Sequence, residues 1–318
     1  GGRVGLGAGQ GGAPLALELL ARGHDVTVVS RPGRQPVAGA TNVAGDATDQ
    51  LFTTETCIGG DVVYFCLDAP DYDKWPEQFP PLQRGVLAGA REVGARYVAL
   101  ENLYGYGPVA GPLTEDLPLA ASSAKGRTRM AMTGELLDAH AAGDIEVAIG
   151  RASDYVGPGV THSALGELVF ANALAGKTMQ VMGDPDRPHS YSYTPDVARA
   201  LTTPGEGAAA LGQACPLPVA PAWPPRQVLA EVHRLAGGTG RSFAAGRTTL
   251  RALGLLQPAM KEYLHTLYQF TGDWIVDDAR YRRTFDDDAT PLADALASTV
   301  GWYRTQHAAG AGAVEAQR

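Results

Sequence analysis

The chain has 318 residues, of which 45% are hydrophobic and 19% are charged, and its formal net charge is −8. Its length allows about two domains, or one large α/β unit with a smaller lobe, and the acidic balance argues against nucleic acid as a partner because phosphate binding needs clustered Lys and Arg. No apolar run reaches the ~18 residues of a membrane span, and the three cysteines lack C-x-x-C spacing, so we expect a cytoplasmic protein with reduced thiols and no membrane partner.

The N-terminal segment predicts a βαβ unit that binds a dinucleotide. A short apolar strand leads into a glycine-rich loop, residues 13–22 have the apolar spacing of a helix, and residues 25–29 predict a second strand. The loop contains a G-x-G-x-x-G pattern, whose first two glycines let the backbone approach a pyrophosphate and whose third lets the helix pack closely on the strand. The alternative is a glycine-rich turn with a structural role only. The predicted phosphate-binding residues are Gly7, Gly9, Gln10, Gly11 and Gly12.

The end of the second strand indicates which dinucleotide binds. NAD-binding domains usually have an Asp or Glu there, which holds the ribose 2′-hydroxyl. This chain has Ser30-Arg31-Pro32-Gly33-Arg34 instead, and guanidinium groups bind a 2′-phosphate bidentately. We therefore predict NADP(H) as the cofactor, bound by Ser30, Arg31 and Arg34. The alternative is that both arginines are solvated residues of a turn.

Motifs along the rest of the chain resemble the extended short-chain dehydrogenases, in particular their sugar-nucleotide epimerase and dehydratase branch. Residues 45–49 read G-D-A-T-D, like the G-D-x-x-D that follows the third strand in that family. Residues 104–118 contain Y-G and T-E-D-x-P, residues 151–159 are similar to R-x-x-x-x-Y-G-P-G, and residues 189–198 are similar to Y-V-x-D-V-A. The resemblance covers residues 3–305. It implies an α/β fold, a Rossmann-type doubly wound parallel sheet with a smaller C-terminal substrate-binding lobe.

The resemblance also implies a domain division and further cofactor ligands. It implies an NADP-binding domain of residues 1–155, with returning segments at about 190–215 and 275–305. Residues 156–189 and 216–274 would form the substrate-binding lobe. Asp46 would meet the adenine, in a set of cofactor-binding residues after the third and fourth strands: Asp46, Ala47, Cys66 and Leu67.

Two positions depart from the family's catalytic pattern. Its Tyr-x-x-x-Lys becomes Lys125-Gly-Arg-Thr-Arg129, and Asn102 stands at the position of the catalytic Ser or Thr. This combination resembles an atypical subgroup of the extended family, some of whose members act in actinomycete antibiotic pathways. Arg129 cannot be deprotonated, so we expect it to hold the cofactor ribose and to stabilise a developing alkoxide. Lys125 is a candidate proton donor, and the alternative for Lys125 and Arg127 is a solvated position in the first turn of a helix.

Other groups are candidates for the missing chemistry. Asn102 has an amide that can hydrogen-bond a carbonyl oxygen, and the substrate itself can assist if a phenol lies beside its ketone. The predicted catalytic residues are Asn102, Tyr104, Lys125 and Arg129. The predicted substrate-binding residues are Tyr72, Trp75, Tyr106, Ser153 and Tyr155.

Four further segments carry structural expectations. Residues 68–81 are rich in proline and aromatic side chains, which predicts a lid near the nicotinamide or, alternatively, an ordered surface connection. Residues 165–170 predict an amphipathic helix that faces the cofactor. Residues 250–270 have apolar side chains at helical spacing, which we expect to be core rather than ligand wall. Residues 308–318 are small and polar, and we expect a disordered tail.

Together these features predict an NADPH-dependent ketoreductase, which reduces a ketone of a polycyclic, angucyclinone-like polyketide to a secondary alcohol. One alternative is a nucleotide-sugar epimerase or dehydratase with tightly bound NAD, which the missing base disfavours because oxidation of a hydroxyl needs one. The other is a non-catalytic NADP-binding regulator. The seven histidines lack metal-ligand spacing, so we predict no metal. A homodimer is a further expectation, because extended relatives often pair through two long helices.

Overall fold

The computed structural model describes residues 1–316, which fall into two units. Unit 1 comprises Gly1–Ala152, Pro195–Pro218 and Asp277–Asp287. Unit 2 comprises Ser153–Thr194, Val219–Val276 and the described residues from Asp288 onward.

Eleven strands and twelve α-helices are present among the described residues. The strands are β1 (Gly2–Leu6), β2 (Asp25–Ser30), β3 (Thr41–Ala44), β4 (Val62–Phe65), β5 (Arg96–Glu101), β6 (Val147–Arg151), β7 (Asp154–Val156), β8 (Met179–Met182), β9 (Tyr191–Tyr193), β10 (Ala214–Pro216) and β11 (Ser242–Ala245). The helices are α1 (Gly12–Ala21), α2 (Gln50–Cys57), α3 (Trp75–Glu92), α4 (Ala124–Ala141), α5 (Glu167–Leu174), α6 (Thr194–Glu206), α7 (Pro225–Ala236), α8 (Arg247–Leu256), α9 (Glu262–Thr266), α10 (Tyr268–Thr271), α11 (Ala279–Phe285) and α12 (Leu292–Ala316).

A seven-stranded parallel sheet organises unit 1, in the order β10-β6-β5-β4-β1-β2-β3. Every residue of β4 and β6 is buried, and apart from Arg151 at the end of β6 these two strands carry no charged side chain. Strands of this kind are typical of parallel sheets that carry helices on both faces. The predicted doubly wound α/β fold is therefore confirmed.

The strand order fixes the place of a ligand site in unit 1. The chain runs outward from β1 to β2 and β3, then returns to β4 on the other side of β1. The connections after β1 and β4 therefore diverge, which leaves a crevice at the carboxyl ends of these strands. Ligands of open α/β sheets bind at this switch point. The predicted βαβ unit is present here, with α1 over Gly12–Ala21.

The predicted lid over residues 68–81 is wrong in its second half. Helix α3 begins at Trp75, with Pro76 in its first turn, where a missing N–H costs no hydrogen bond. The helix continues through Pro80 and Pro81. Burial of the Trp75 and Phe79 rings in the core of unit 1 offsets the hydrogen bonds that these prolines cannot donate. The irregular connection after β4 is therefore short, and it ends where α3 begins.

Unit 2 contains two small parallel strand pairs, β7 with β9 and β8 with β11. Its core joins α5, α7 and α12, and includes Phe170 stacked on Tyr303 at 5.3 Å between ring centroids. The expectation that residues 288–305 return to the nucleotide-binding domain is therefore wrong, because Leu296, Val300 and Tyr303 are buried in the core of unit 2.

Two other expectations for this region need correction. Residues 308–316 belong to α12, because their alanines have high helix propensity and continue a helix that is already packed. Residues 317 and 318 of the predicted tail lie outside the described residues. In α8, Leu255 and Leu256 are 81% and 83% exposed, so they are not core residues.

None of the helices within residues 1–316 is long and apolar enough to cross a membrane.

Candidate active site

The glycine-rich loop forms a tight turn between β1 and α1. Gly7 has a φ of +113°, and its N–H donates to the Val29 carbonyl at 2.8 Å. A Cβ on Gly7 would lie 2.6 Å from the Cys66 carbonyl oxygen, and a Cβ on Gly12 would lie 2.1 Å from the Gly7 carbonyl oxygen. Both glycines are therefore required by the packing of the turn itself.

Gly9 differs from these two glycines. A Cβ built on Gly9 meets no protein atom within 4 Å, so the fold alone does not require a glycine there. The open space lies beside the start of α1, where the N-cap residue is Gly11, so no side chain caps the first N–H groups of the helix. A helix N-terminus attracts anions through its free N–H groups and its dipole. The turn thus fits the pyrophosphate of a dinucleotide, with the backbone of residues 7–12 as its cradle.

A cavity of about 400 Å³ lies at the carboxyl edge of the sheet in unit 1. Its position beside β2 and the connection after β4 suits the adenosine half of a dinucleotide. Five of the predicted cofactor-binding residues line it: Ser30, Arg31, Asp46, Ala47 and Leu67. The position of Asp68 and Pro70 directly after β4 was a usable signal that they belong to the cavity. The sequence analysis did not predict these two or the other remaining lining residues: Val29, Gly45, Thr48, Asp68, Pro70, Glu77, Gln78, Pro81 and Leu82.

Among the cofactor ligands predicted after β2, β3 and β4, Arg34 and Cys66 do not line this cavity. Arg34 is exposed in the turn after β2, where its N–H donates to the Arg31 carbonyl at 3.4 Å. Cys66 lies behind the glycine turn, with its carbonyl against Gly7. Burial raises the pKa of the Cys66 thiol to about 12, with a smaller contribution from the Asp68 carboxylate. Cys66 is therefore a protonated packing residue at neutral pH.

Asp46 is held in one orientation within the cavity wall. Its Oδ1 accepts hydrogen bonds from the Thr48 hydroxyl at 2.7 Å and from the Thr48 N–H at 2.9 Å. These bonds lower the pKa of the Asp46 carboxyl, the side-chain bond more than the backbone bond. Asp46 is therefore an ionised acceptor that is already oriented for a ligand N–H or O–H.

Lys125 is a buried residue, with 3% of its surface exposed, which contradicts the solvated alternative. Its ammonium donates a hydrogen bond to the Tyr72 carbonyl. It also lies 4.0 Å from the centroid of the Tyr72 ring and 5.1 Å from that of Trp75. Arg127, two residues further along α4, is exposed as the solvated alternative predicted.

Arg129 lies one turn after Lys125 and is 4% exposed. Its guanidinium carbon is 4.5 Å from the centroid of the Phe79 ring, and its Nη2 is 4.0 Å from Glu101 Oε2. Glu101 also accepts from the Thr133 hydroxyl at 2.8 Å and from Arg151 Nε at 3.3 Å. One buried carboxylate thus stands between two buried guanidinium groups. The partners that the structure gives Arg129 are protein groups, and its contact with a cofactor ribose stays a prediction.

The turn after β5 carries Asn102 and Tyr104. The Asn102 side-chain oxygen accepts from the Tyr104 N–H at 3.2 Å, which shapes the turn. Tyr104 is half-buried, packs edge-on against Trp75 at 5.2 Å between centroids, and places its hydroxyl 3.1 Å from the Tyr72 hydroxyl. We name the set around these contacts the aromatic–cation cluster: Tyr72, Trp75, Phe79, Tyr104, Lys125 and Arg129.

Three predicted substrate-binding residues lie outside the aromatic–cation cluster. Tyr106 is buried, and its hydroxyl donates to the Thr114 carbonyl at 2.9 Å and accepts from Arg151 Nη1 at 3.0 Å. Ser153 and Tyr155 belong to unit 2, in or beside β7. The structure therefore brings Tyr72 and Trp75 together with three of the predicted catalytic residues, and it gives Tyr106 an interior position instead.

Unit 2 contains a buried pair that sequence reasoning missed. His189 Nε2 lies 2.6 Å from Asp154 Oδ2, and His189 Nδ1 lies 3.1 Å from the Gln269 carbonyl oxygen. The ring stacks on Phe270 at 4.8 Å. Both ring nitrogens of His189 thus face oxygen atoms of the protein. Within residues 1–316, no group of three or more His, Cys, Asp or Glu side chains could hold a metal ion.

The parallel sheet, the switch-point cavity and the glycine turn define a dinucleotide-binding protein of the short-chain dehydrogenase type. The chain belongs to the NAD dependent epimerase/dehydratase family, whose model matches residues 6–207. The resemblance to this family is thereby confirmed. A comparison with curated protein sequences finds no match.

Several solved structures share this fold. An epimerase of Methanothermobacter thermautotrophicus has a TM-score of 0.81 at 16% identity, covering 96% of this chain and 92% of that one. A double mutant of the dTDP-glucose 4,6-dehydratase DesIV of Streptomyces venezuelae, with NAD bound, has a TM-score of 0.78 at 19% identity, covering 96% and 97%. The UDP-glucuronic acid 4-epimerase of Bacillus cereus, also with NAD, has a TM-score of 0.76 at 14% identity, covering 96% and 99%. At these identities the likeness shows the fold, and family membership supports a nicotinamide dinucleotide cofactor and an enzyme of the oxidoreductase type.

Proposed function

We propose that this chain is an NADPH-dependent ketoreductase, which reduces a ketone of a polycyclic aromatic substrate to a secondary alcohol. The observation that carries the proposal is that Lys125 and Arg129, which we predict to replace the catalytic Tyr and Lys of the family, are both buried. Lys125 is buried against Tyr72 and Trp75, and Arg129 is buried between Phe79 and Glu101. In this departure the chain resembles the angucyclinone ketoreductase of simocyclinone biosynthesis.

The chemistry of these two positions favours reduction over oxidation. Removal of hydride from an alcohol needs a base for the hydroxyl proton. Arg129 stays protonated at any ordinary pH, and the ammonium of Lys125 donates to the Tyr72 carbonyl, so neither is placed as a base. Reduction of a ketone needs only a hydride and a proton, and the two cations favour the negative charge that develops on the carbonyl oxygen.

The residues around the glycine turn would hold the nicotinamide cofactor, which supplies the hydride when bound. The backbone of residues 7–12 suits its pyrophosphate, and Asp46 suits the adenosine half. Support for NADPH over NADH comes from Arg31, which lines the cavity, and from the absence of a carboxylate at the end of β2, where Ser30 stands. A guanidinium group there suits a 2′-phosphate.

A second candidate is a nucleotide-sugar epimerase or dehydratase that keeps its NAD bound through a catalytic cycle. The family match favours this candidate more directly than the first, because epimerases and dehydratases define the family. The solved structures of similar fold include a dTDP-glucose 4,6-dehydratase and a UDP-glucuronic acid 4-epimerase. The lack of a Tyr-x-x-x-Lys base in this chain is the observation against it.

Two measurements separate these candidates. Purified protein is denatured and any released nucleotide is identified, and the protein freed of nucleotide is then titrated with NADPH and with NADH. Tightly retained NAD that exchanges slowly would favour the epimerase or dehydratase and overturn the ketoreductase. An exchangeable site with preference for NADPH supports the ketoreductase.

Turnover completes the test. The protein is mixed with NADPH and either α-tetralone or its peri-hydroxylated counterpart, and with dTDP-glucose or UDP-glucuronic acid in parallel. Consumption of NADPH with a ketone supports our proposal, and isomerisation or dehydration of a nucleotide sugar would replace it with the second candidate. Cofactor binding without turnover on any of these probes would indicate a non-catalytic regulator.

A further inference from the structure

We infer that Tyr104, assisted by Tyr72, delivers the proton that the missing family tyrosine would supply. This inference rests on the proposed reduction of a ketone. The two hydroxyl oxygens are 3.1 Å apart, within hydrogen-bond distance, and come from separate connections at the same edge of the sheet. The pair is thus a proton-donating group assembled from two loops, whereas the family places its donor on the helix that corresponds to α4.

The topology places this pair at the nucleotide site. Tyr104 follows the carboxyl end of β5, and Tyr72 lies in the connection after β4, the neighbouring strand. The start of that connection, at Cys66, contacts the glycine turn, and its middle, at Asp68 and Pro70, lines the nucleotide cavity. Carboxyl ends of parallel strands meet at one edge of a sheet. The two hydroxyls therefore lie in the same loop layer as the cofactor site.

Contacts around the pair hold it in position. The Tyr104 and Tyr72 rings each pack edge-on against Trp75, at 5.2 and 5.7 Å between centroids. Lys125 binds the Tyr72 carbonyl and lies over the Tyr72 ring. Trp75 and Lys125 thus hold the two tyrosines whose hydroxyls form the pair. Both tyrosines are partly exposed.

The charge of Lys125 suits a proton-transfer step. After hydride addition, the alkoxide oxygen forms an O–H bond to the proton of Tyr104, and the Tyr104 O–H bond breaks. Tyr72 then gives its proton to the Tyr104 oxygen and is itself reprotonated by water. The net change is one hydride and one proton added to the ketone. The negative charge that resides briefly on a phenol oxygen is attracted by the Lys125 ammonium at 4.0 Å from the Tyr72 ring.

The test uses the full chain with NADPH and the two tetralones, and compares three substitutions. Tyr104→Phe and Tyr72→Phe each remove a hydroxyl and keep the ring that packs on Trp75. Tyr193→Phe is the matched control, because it removes a hydroxyl that is 3.0 Å from the Ser298 hydroxyl in unit 2. We expect Tyr104→Phe to lower kcat on α-tetralone by about 10²–10³-fold, within the range of general acid catalysis. We expect about a 10-fold loss for Tyr72→Phe, and no loss for Tyr193→Phe.

The second ketone separates proton delivery from a structural effect. Its peri-hydroxyl group can protonate the neighbouring alkoxide internally, so the loss in Tyr104→Phe is expected to shrink by about 10-fold or more on this substrate. A solvent deuterium effect on kcat is expected in the wild type and is expected to change in Tyr104→Phe. A loss that is equal on both ketones with an unchanged solvent effect would show a structural role and overturn the inference.

The remaining outcomes are also decisive. If Tyr104→Phe reduces the ketones as fast as Tyr193→Phe and the wild type do, the inference is overturned while the proposed function stands. Failure of the wild type to reduce either ketone would overturn the proposed function, and with it the role of the pair.

Discussion

The glycine turn and the aromatic–cation cluster lie at the same edge of the unit 1 sheet, and they follow opposite rules. In the glycine turn the backbone determines the site, because Gly7 and Gly12 leave no room for a Cβ and the loop keeps the family's spacing. In the aromatic–cation cluster the side chains determine the site. There Lys125 and Arg129, which we predict to stand at the catalytic positions of the family, are covered by aromatic rings.

The difference indicates which part of the site is free to change. A turn that packs backbone against backbone tolerates no side chain without loss of the fold, so its sequence pattern stays readable. A cluster of side chains can exchange one set of contacts for another while the fold stays intact. Cofactor binding and proton chemistry can therefore diverge independently in this protein. Changes at Gly7 or Gly12 should lower stability and cofactor binding together, and changes in the cluster should act on chemistry or on local stability.

The largest expected effect is that of Gly12→Ala. Its Cβ would lie 2.1 Å from the Gly7 carbonyl oxygen, so the turn must open, and we expect a loss of several kcal/mol in the free energy of unfolding. Gly9→Ala is the matched control, since its Cβ meets no protein atom within 4 Å. We expect Gly9→Ala to keep stability within about 1 kcal/mol and to weaken NADPH binding at least 10-fold. Denaturant unfolding and cofactor titration measure the two quantities.

Two outcomes would contradict the distinction between the glycine turn and the aromatic–cation cluster. Equal stability of the two variants would mean that the turn adapts as a side-chain cluster does. Unchanged cofactor affinity in Gly9→Ala would mean that the pyrophosphate does not bind at this turn.

The next largest effect is expected for Glu101→Gln, within the ion network that supports the cluster. The substitution removes a buried negative charge that faces Arg129 at 4.0 Å and Arg151 at 3.3 Å, and leaves two buried guanidinium groups uncompensated. We expect a loss of about 3–5 kcal/mol in the free energy of unfolding. Thr133→Val removes only the hydroxyl that donates to Glu101 at 2.8 Å, and should cost about 1–2 kcal/mol. If both variants lose the same amount by denaturant unfolding, the network carries little charge energy.

The sequence analysis succeeded where structure depends on local spacing. The periodicity of the first strands and helix, and the glycine pattern between them, predicted the βαβ unit. Ser30 and Arg31, predicted as cofactor ligands from the end of the second strand, line the cavity, and their contact with a cofactor stays a prediction. The fold class followed from motifs that cover the whole chain.

The cluster could not be predicted in the same way, because it depends on contacts between distant segments. Tyr72 and Lys125 are 53 residues apart in sequence, and only the packing of α3 against α4 brings them together. The burial of Lys125 under aromatic rings has no local signal, since a lysine in a first helical turn is usually solvated. The His189–Asp154 pair escaped notice for the same reason.

A smaller effect is expected from Arg31→Ala, which tests the glycine-turn side of the comparison. Arg31 is exposed and lines the nucleotide cavity, so its loss should leave stability unchanged within about 0.5 kcal/mol. Loss of a charge-assisted contact to a 2′-phosphate should weaken NADPH binding by about 1–3 kcal/mol, or roughly 5–150-fold, and leave NADH binding unchanged. Equal weakening for both cofactors would show that Arg31 does not meet the 2′-phosphate, and Arg84→Ala, a change at an exposed arginine of α3, serves as the control.

The smallest effect is expected from Lys125→Met, and it tests whether the cluster stabilises the protein or only positions groups for chemistry. Methionine keeps the apolar length of the side chain but removes the cation from the Tyr72 and Trp75 rings and the donor from the Tyr72 carbonyl. These losses are each worth about 1–2 kcal/mol. The gain from no longer burying a charge offsets part of them, so we expect a net loss of about 1–2 kcal/mol by denaturant unfolding.

Lys74→Met is the matched control, because the Lys74 side chain is 60% exposed and pairs only loosely with Asp71 at 3.9 Å. We expect this control to be neutral within about 0.5 kcal/mol. If Lys125→Met is equally neutral while kcat on a ketone falls, the buried cation contributes to proton delivery and not to the fold, and the separation between the two regions is sharper than their packing alone indicates.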